Sequence, residues 1–307
     1  MSIEEKNVYY SFSSYLKKRF DSKVRKIVVN AGFTCPNRDG SKSTGGCTFC
    51  NEKGSGSGSV ESIQKQVQSQ IDRLSLKNIK KYMVYFQSFT NTYAPVNVLK
   101  QRYDASLIDD RIVALAVGTR PDCVDEQKIA LLQSYTDKYE VWVEYGLQSI
   151  HQKSLDRINR GHSKEDFVKA VEMTANKNIK ICVHIIVGLP DESYNNIMAT
   201  AKFVAGLPID AIKIHSLYIE KGTKLYDEFI NRPFKIFSKE EYVKIVCDIL
   251  EILPENMIIQ RLTGDPSEDF VAPEWGREKS TILRMIKEEL IKRQSRQGIF
   301  WKYNFKL

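Results

Sequence analysis

Short runs rich in β-branched and aromatic residues alternate along the chain with stretches whose apolar positions recur at three- and four-residue steps. The runs lie at 24–30, 82–86, 111–117, 140–145, 179–187 and 211–217, with a weaker seventh at 257–261. They are apolar on both faces, as strands covered on both sides of a parallel sheet must be. Between them, Val60, Ile63, Val67, Ile71 and Leu74 mark one buried helix face. Phe167, Val168, Val171 and Ala175 repeat the pattern, as do Tyr242, Val243, Val246, Ile249 and Leu250. Strand–helix alternation of this kind predicts a parallel sheet with right-handed crossovers, in a partial barrel or a doubly wound form. Either form receives ligands at the C-terminal ends of its strands.

A last helix at 279–293 buries Ile282, Leu283, Ile286 and Leu290, after a Pro-containing segment running from Asp265-Pro266 to Pro273-Glu274-Trp275. The pattern therefore predicts a barrel core over 1–262 and a C-terminal extension over 263–307 packed on it. The chain has 307 residues, 42% of them apolar, enough for a substantial core. Its first twenty residues lack the apolar block of an export signal, and the longest uncharged apolar stretch, 181–190, is about half a membrane span. A cytoplasmic protein without membrane contact is expected, and there thiols stay reduced. The patch Gly54-Ser55-Gly56-Ser57-Gly58-Ser59 reads as a mobile loop or a close backbone approach to a ligand.

Charge adds a possible partner. The net charge is +8, and residues 277–307 hold nine Lys/Arg against three Glu, with Phe300, Trp301, Tyr303 and Phe305 among them. Basic residues interleaved with aromatics fit a polyanion such as nucleic acid, or equally a solvated helix face.

The chemistry is concentrated in a loop after the first strand, where Cys35, Cys47 and Cys50 are separated by eleven and then two residues. A closed structural metal site uses four protein ligands, whereas a reactive site leaves a position open. Three thiolates suit an iron–sulfur cluster with one iron free for a small molecule. Polar residues follow the other strands: Gln87-Ser88-Phe89, Gly118-Thr119-Arg120-Pro121-Asp122, Glu144-Tyr145-Gly146-Leu147-Gln148, Gly188-Leu189-Pro190-Asp191 and His215-Ser216. Such groups converging on one rim make a polar ligand site. Arg120 either steadies a carboxylate or phosphate through two parallel hydrogen bonds or pairs with Asp122.

These residues resemble a radical S-adenosylmethionine (SAM) enzyme of the YhcC/YtqA-like group, related to the radical domain of the Elongator catalytic subunit. The matching segments are Gly32-Phe33-Thr34-Cys35-Pro36-Asn37-Arg38-Asp39-Gly40, Gly45-Gly46-Cys47-Thr48-Phe49-Cys50, Gly118-Thr119-Arg120-Pro121-Asp122, Glu144-Tyr145-Gly146-Leu147-Gln148-Ser149, Arg160-Gly161-His162, Gly188-Leu189-Pro190, Lys221-Gly222-Thr223 and Ala272-Pro273-Glu274-Trp275. The resemblance implies a radical SAM partial (β/α)6-type barrel with a short, basic, mainly helical C-terminal extension. It implies one [4Fe–4S] cluster held by Cys35, Cys47 and Cys50, with SAM on the fourth iron. It places Phe49 near adenine, Gln87 and Ser88 at the methionyl amino group, Glu144 and Gln148 at ribose or sulfonium, and the backbone at Gly188 at adenine. Glu144, Gln148 and Arg120 are the candidates for catalytic roles.

The same resemblance implies tRNA as partner and the C5 side chain of wobble uridine as target. The Elongator family follows its radical domain with an acetyltransferase domain. With little chain after 262, the expected task is to remodel an existing side chain, for instance carboxymethylaminomethyl to aminomethyl. One alternative keeps the radical chemistry on a small metabolite or protein substrate, with the basic tail docking an acidic flavodoxin- or ferredoxin-type electron donor. Another is a non-catalytic zinc- or cluster-containing RNA-binding module.

Cys123, Cys182 and Cys247 are scattered and read as buried apolar residues, His184 and Trp142 as core. His162 and His215 fall at element ends, where a substrate or phosphate contact competes with a structural role. Tyr218 and Trp275 read as core aromatics or base-stacking platforms.

Overall fold

The computed structural model describes residues 8–52, 54, 59 and 61–301. Val60, most of the Gly/Ser patch, and Lys302, Tyr303, Phe305 and Lys306 of the basic tail lie outside the described residues. Seven parallel strands form one sheet in nearly sequential order: β1 (Val24–Val29), β2 (Lys81–Phe86), β3 (Ile112–Thr119), β4 (Glu140–Gln148), β5 (Lys180–Val187), β6 (Ala211–Ser216) and β8 (Ile258–Arg261). Between β6 and β8 comes the two-residue β7 (Ile219–Glu220), which pairs antiparallel with β9 (Phe270–Ala272) in a separate ribbon. The sheet curls into a half-barrel, as the sequential order and accumulated strand twist require.

Helices cover the outside: α2 (Ile63–Ser75), α3 (Val96–Asp104), α4 (Glu126–Gln133), α5 (Gln152–Arg157), α6 (Lys164–Thr174), α7 (Tyr194–Ala205) and α9 (Lys239–Ile252), while α8 (Lys224–Asn231) packs beside the cysteine loop through Leu225. Their starts are encoded locally. Ser163, Ser193 and Ser238 each close a reciprocal capping box, with Asp166, Asn196 and Glu241 three residues on. The predicted faces of α2, α6 and α9 are the buried ones: Val67 and Ile71, Phe167 and Val171, Tyr242, Val246 and Ile249.

A half-barrel leaves a seam between its edge strands. Here α1 (Phe12–Phe20) fills it: the Ile259 N–H donates to the Tyr10 carbonyl at 2.8 Å, and Phe12 and Leu16 enter the bottom of the barrel. Above the sheet edge, α10 (Lys279–Lys292) lies on the main core through Ile282, Ile286 and Leu290.

Part of the basic tail is paired within the fold. Lys279, Arg284, Arg293 and Arg296 hold the carboxylates of Asp265, Glu288, Asp248 and Glu255 respectively. Arg277 donates to the Ser267 and Glu268 carbonyls. Much of this segment's positive charge is thus matched by acidic partners, several of them far away in sequence.

Inside the half-barrel, alternation along each strand produces layers. The bottom layer is apolar: Val24, Met83, Ala114, Trp142, Cys182, Ala211 and Ile258 pack with α1. One step up come Lys26, Tyr85, Ala116, Glu144, His184 and Lys213, and above them Gly118, Gly146, Ile186 and His215. Strand β4 runs on to Gln148 through a bulge between Gly146 and Gln148, so Glu144 is an inward strand residue rather than a strand-end one.

Candidate active site

The cysteine loop follows β1 and arches over the barrel mouth. Its turns are backbone-bonded: the Arg38 N–H reaches the Cys35 carbonyl at 2.8 Å, and the Cys50 N–H reaches the Cys47 carbonyl at 2.9 Å. Asn37 ties it to the segment after β4, donating to the Asn159 carbonyl at 2.6 Å and the Arg160 carbonyl at 3.0 Å. Cys35, Cys47 and Cys50 are unpaired thiols lining one cavity of about 960 Å³.

Two arginines point at sulfur. Arg38 Nη2 lies 3.4 Å from Cys50 Sγ and is fixed by the Cys50 and Asn51 carbonyls. Arg160 Nη1 lies 3.5 Å from Cys47 Sγ, while its Nη2 donates to the Gly146 carbonyl at 2.8 Å. Only glycine at 146 permits this path, since a Cβ there would lie 2.5 Å from Arg160 Nη2. His162 accepts from Arg160 Nε at 2.9 Å and stays neutral, because burial and the Arg160 charge bring its imidazole down to about 3. Burial, then the neighbouring Cys47 thiol, push the Cys50 thiol up, against the lowering effect of Arg38. Three soft donors crowded on one loop, with cationic donors aimed at their sulfurs, fit a thiolate-held iron–sulfur centre of net negative charge, whose potential such hydrogen bonds adjust.

Around this loop the cavity is lined by Phe49, Gln87, Gly118, Arg120, Gln148 and Tyr218. Phe49 packs against the apolar cluster of Ile186 and Leu217. Gln148 has the left-handed φ of +74° just after the bulge, and its amide makes no hydrogen bond to the described residues. Ser88 and Gly188 are not on the lining: Ser88 is buried with its Oγ unpartnered, and Gly188 faces Phe237.

Arg120 takes the structural of its two readings. Its Nε and Nη2 hold Asp122 at 2.9 Å each, and its Nη1 donates to the Arg160 carbonyl at 2.6 Å. Burial raises Asp122, but Arg120 and then Lys42 outweigh it and hold the carboxyl at about 2. The guanidinium fork is committed and positions the Arg160 segment.

Glu144 is enclosed below the mouth and likewise committed. Lys213 and His184 meet its Oε2, His184 at 2.9 Å, and Lys26 lies 3.5 Å from its Oε1. Burial opposes its ionisation, yet the Lys213 and Lys26 charges hold the carboxyl well below the usual range. Lys213 also reaches the Tyr85 hydroxyl at 3.1 Å, and burial brings its ammonium down to about 8 despite Glu144. Glu144, Cys182 and His184 group their ligand atoms within 4.8 Å. A metal ion there would meet the Lys213 ammonium, and burial raises the Cys182 thiol, so the trio suits an ion pair better than a metal.

The sequence matches the family described as the radical SAM superfamily over residues 34–204 and the radical SAM C-terminal domain over 209–292. The chain belongs to the radical SAM superfamily. It is 39% identical to YtqA of Bacillus subtilis over 95% of this chain and 92% of that protein. It is 36% identical to YhcC of Escherichia coli K12 over 86% of each. A tRNA uridine(34) acetyltransferase of Methanocaldococcus infernus is 29% identical over 50% of this chain, which spans 29% of that protein. Among solved structures, archaeal Elp3 from the same organism superposes with a TM-score of 0.65 at 21% identity, covering 90% of this chain and 64% of that one. The protein is a radical SAM enzyme, and its cofactors are a [4Fe–4S] cluster and SAM.

For this radical SAM enzyme the expectations can be placed. The three cysteines, Phe49, Gln87, Glu144, Gln148 and Arg120 meet in one cavity, whereas Ser88 and Gly188 do not reach it. His184 was expected in the core but lines the cavity, because β5 turns it inward onto Glu144. Cys123, Cys182 and Cys247 are buried, and Trp142 is a core residue. Trp275 is buried against Tyr242, whereas Tyr218 lines the cavity. The residues missed by sequence reasoning are Arg38, Arg160, Lys213, Lys26 and Arg261. The available signal was a lysine inside the apolar run Ala211-Ile212-Lys213-Ile214.

Proposed function

We propose that the protein is a cytoplasmic tRNA-modifying enzyme that remodels the C5 side chain of wobble uridine, converting carboxymethylaminomethyl to aminomethyl. The observation carrying this reading is a single open cavity of about 960 Å³ leading from three thiols at the mouth to a charged floor. Pockets for one drug-sized ligand run to about 300–1,000 Å³, and this cavity lies at the upper end of that range. The relatives named for tRNA uridine(34) support the substrate class.

On this reading Cys35, Cys47 and Cys50 hold the cluster, with Arg38 and Arg160 donating to their sulfurs. Phe49, Gln87 and Gln148 line the cavity, and there Phe49 would cover the adenine while Gln87 and the Gln148 amide would contact the rest of SAM. When bound, the cluster and SAM would supply one-electron chemistry, giving methionine and a 5′-deoxyadenosyl radical able to take a hydrogen atom from the substrate. On the substrate, the carboxymethyl carbon beside nitrogen loses this hydrogen atom and then one electron, passed to a carrier of the flavodoxin or ferredoxin class. The resulting imine takes up water and separates into the aminomethyl side chain and glyoxylate, with release of a proton.

Nucleoside analysis of tRNA from a strain lacking the gene tests the assignment. The carboxymethylaminomethyl derivative accumulates and its aminomethyl descendants disappear. Unchanged nucleosides would move the substrate to a small metabolite or a protein side chain.

A further inference from the structure

The floor of the barrel carries donors without acceptors. Lys213 uses two of its three N–H groups, on Glu144 and Tyr85. His215, on the same strand two residues on, is buried with its Nε2 unpartnered, and the Gln260 amide nitrogen is likewise buried and unpartnered. Arg261 aligns with Lys213 across β6 and β8 and lines the cavity, with only Nη2 engaged, on Asp265 at 2.9 Å. Unpartnered buried polar atoms are costly and rare, so His215 and Gln260, beside the third N–H of Lys213 and the part-exposed Arg261 fork, mark a place for a polar ligand.

The charge count points the same way. At the enclosed floor Lys26 and Lys213 face Glu144, two cations against one carboxylate. Burial, followed by neighbouring cations, keeps His184 and His215 neutral. One positive charge is left over, in a chamber where an unmatched charge is expensive. A monoanion with two acceptor oxygens would balance it and satisfy the free donors together.

We infer that Lys213, His215 and Arg261 form a carboxylate-binding floor that recognises the substrate from below, while the thiol loop works from above. Which carboxylate it takes rests on the function proposed above: the carboxymethyl end of the uridine side chain. With this end anchored on the floor, the adjacent carbon is presented upward toward the mouth. SAM also carries a carboxylate, so the test must separate cofactor from substrate.

The test measures binding to cluster-reconstituted protein by calorimetry, for wild type, Lys213→Gln and Arg261→Gln. The probes are 5-carboxymethylaminomethyluridine, its carboxamide analogue, N-acetylglycinate and SAM. Wild type should prefer the carboxylate nucleoside to the amide by about 10–100-fold, the range of a charge-assisted hydrogen bond. Each variant should lose about tenfold of that preference and keep its SAM affinity. Lys213→Gln leaves Glu144 short of a partner and risks misfolding, whereas the Arg261 side chain is 29% exposed and its variant does not. No preference in wild type, an undiminished preference in a folded variant, or a parallel loss of SAM affinity overturns the inference. If N-acetylglycinate binds with the same dependence on Lys213 and Arg261 while the nucleoside does not bind, the floor stands and the uridine reading fails.

Discussion

Two imidazoles inside this barrel are kept neutral by burial, and that has a measurable cost in acid. His184 is brought down to about 4 by burial and the Lys213 charge, and His162 to about 3 by burial and the Arg160 charge. Unfolded, each takes up a proton near the ordinary histidine value of 6.5. The unfolded chain therefore binds more protons below that point, so stability is full above 6.5 and falls as the pH drops toward 4 and 3. Between pH 7 and pH 5 the unfolding free energy should fall by about 2 kcal/mol for each histidine. Urea titrations at the two pH values check this, and a flat profile would mean that neither ring is held neutral. At this scale the cysteines were legible, because three thiols at short spacing need no fold to be recognised. Lys213 and its pairing with Glu144 were not, because that pairing joins strands 69 residues apart and exists only once β4 and β6 both turn these positions inward.

Among the elements, strands and helices were legible because period-2 and period-3.6 patterns are local. All seven parallel strands lie where the β-rich runs predicted, with β3 and β4 extending further at their C-terminal ends. Those extensions carry the site residues Gly118, Gly146 and Gln148, and the bulge that accommodates them leaves no mark in an apolar pattern. The role of α1 was also hidden, since its task of closing the seam depends on the gap between β1 and β8. The C-terminal helix α10 shares the main core through Ile286, which is fully enclosed. Truncating a buried isoleucine typically costs about 2–5 kcal/mol. Ile286→Ala should therefore lower the global unfolding midpoint in a single cooperative transition, followed by circular dichroism in denaturant. A separate early transition with the main midpoint unchanged would show that α10 unfolds independently of the barrel.

At the scale of the whole molecule, the organisation is vertical: an apolar plug at the bottom, a charged floor above it, and a thiol loop at the mouth. Composition alone pointed to the C-terminal basic segment as the charged feature. In the fold much of that charge is matched by carboxylates on neighbouring elements, while an unmatched positive charge lies inside the barrel. Net charge says how much charge a chain carries, but only the tertiary structure says where it is left uncompensated.

The most direct measurement places deuterium on the carboxymethyl carbon of the tRNA side chain and supplies this tRNA to reconstituted enzyme with reductant and SAM. Deuterium should enter 5′-deoxyadenosine as glyoxylate and aminomethyluridine form together. 5′-Deoxyadenosine free of deuterium, with the side chain intact, would contradict the account.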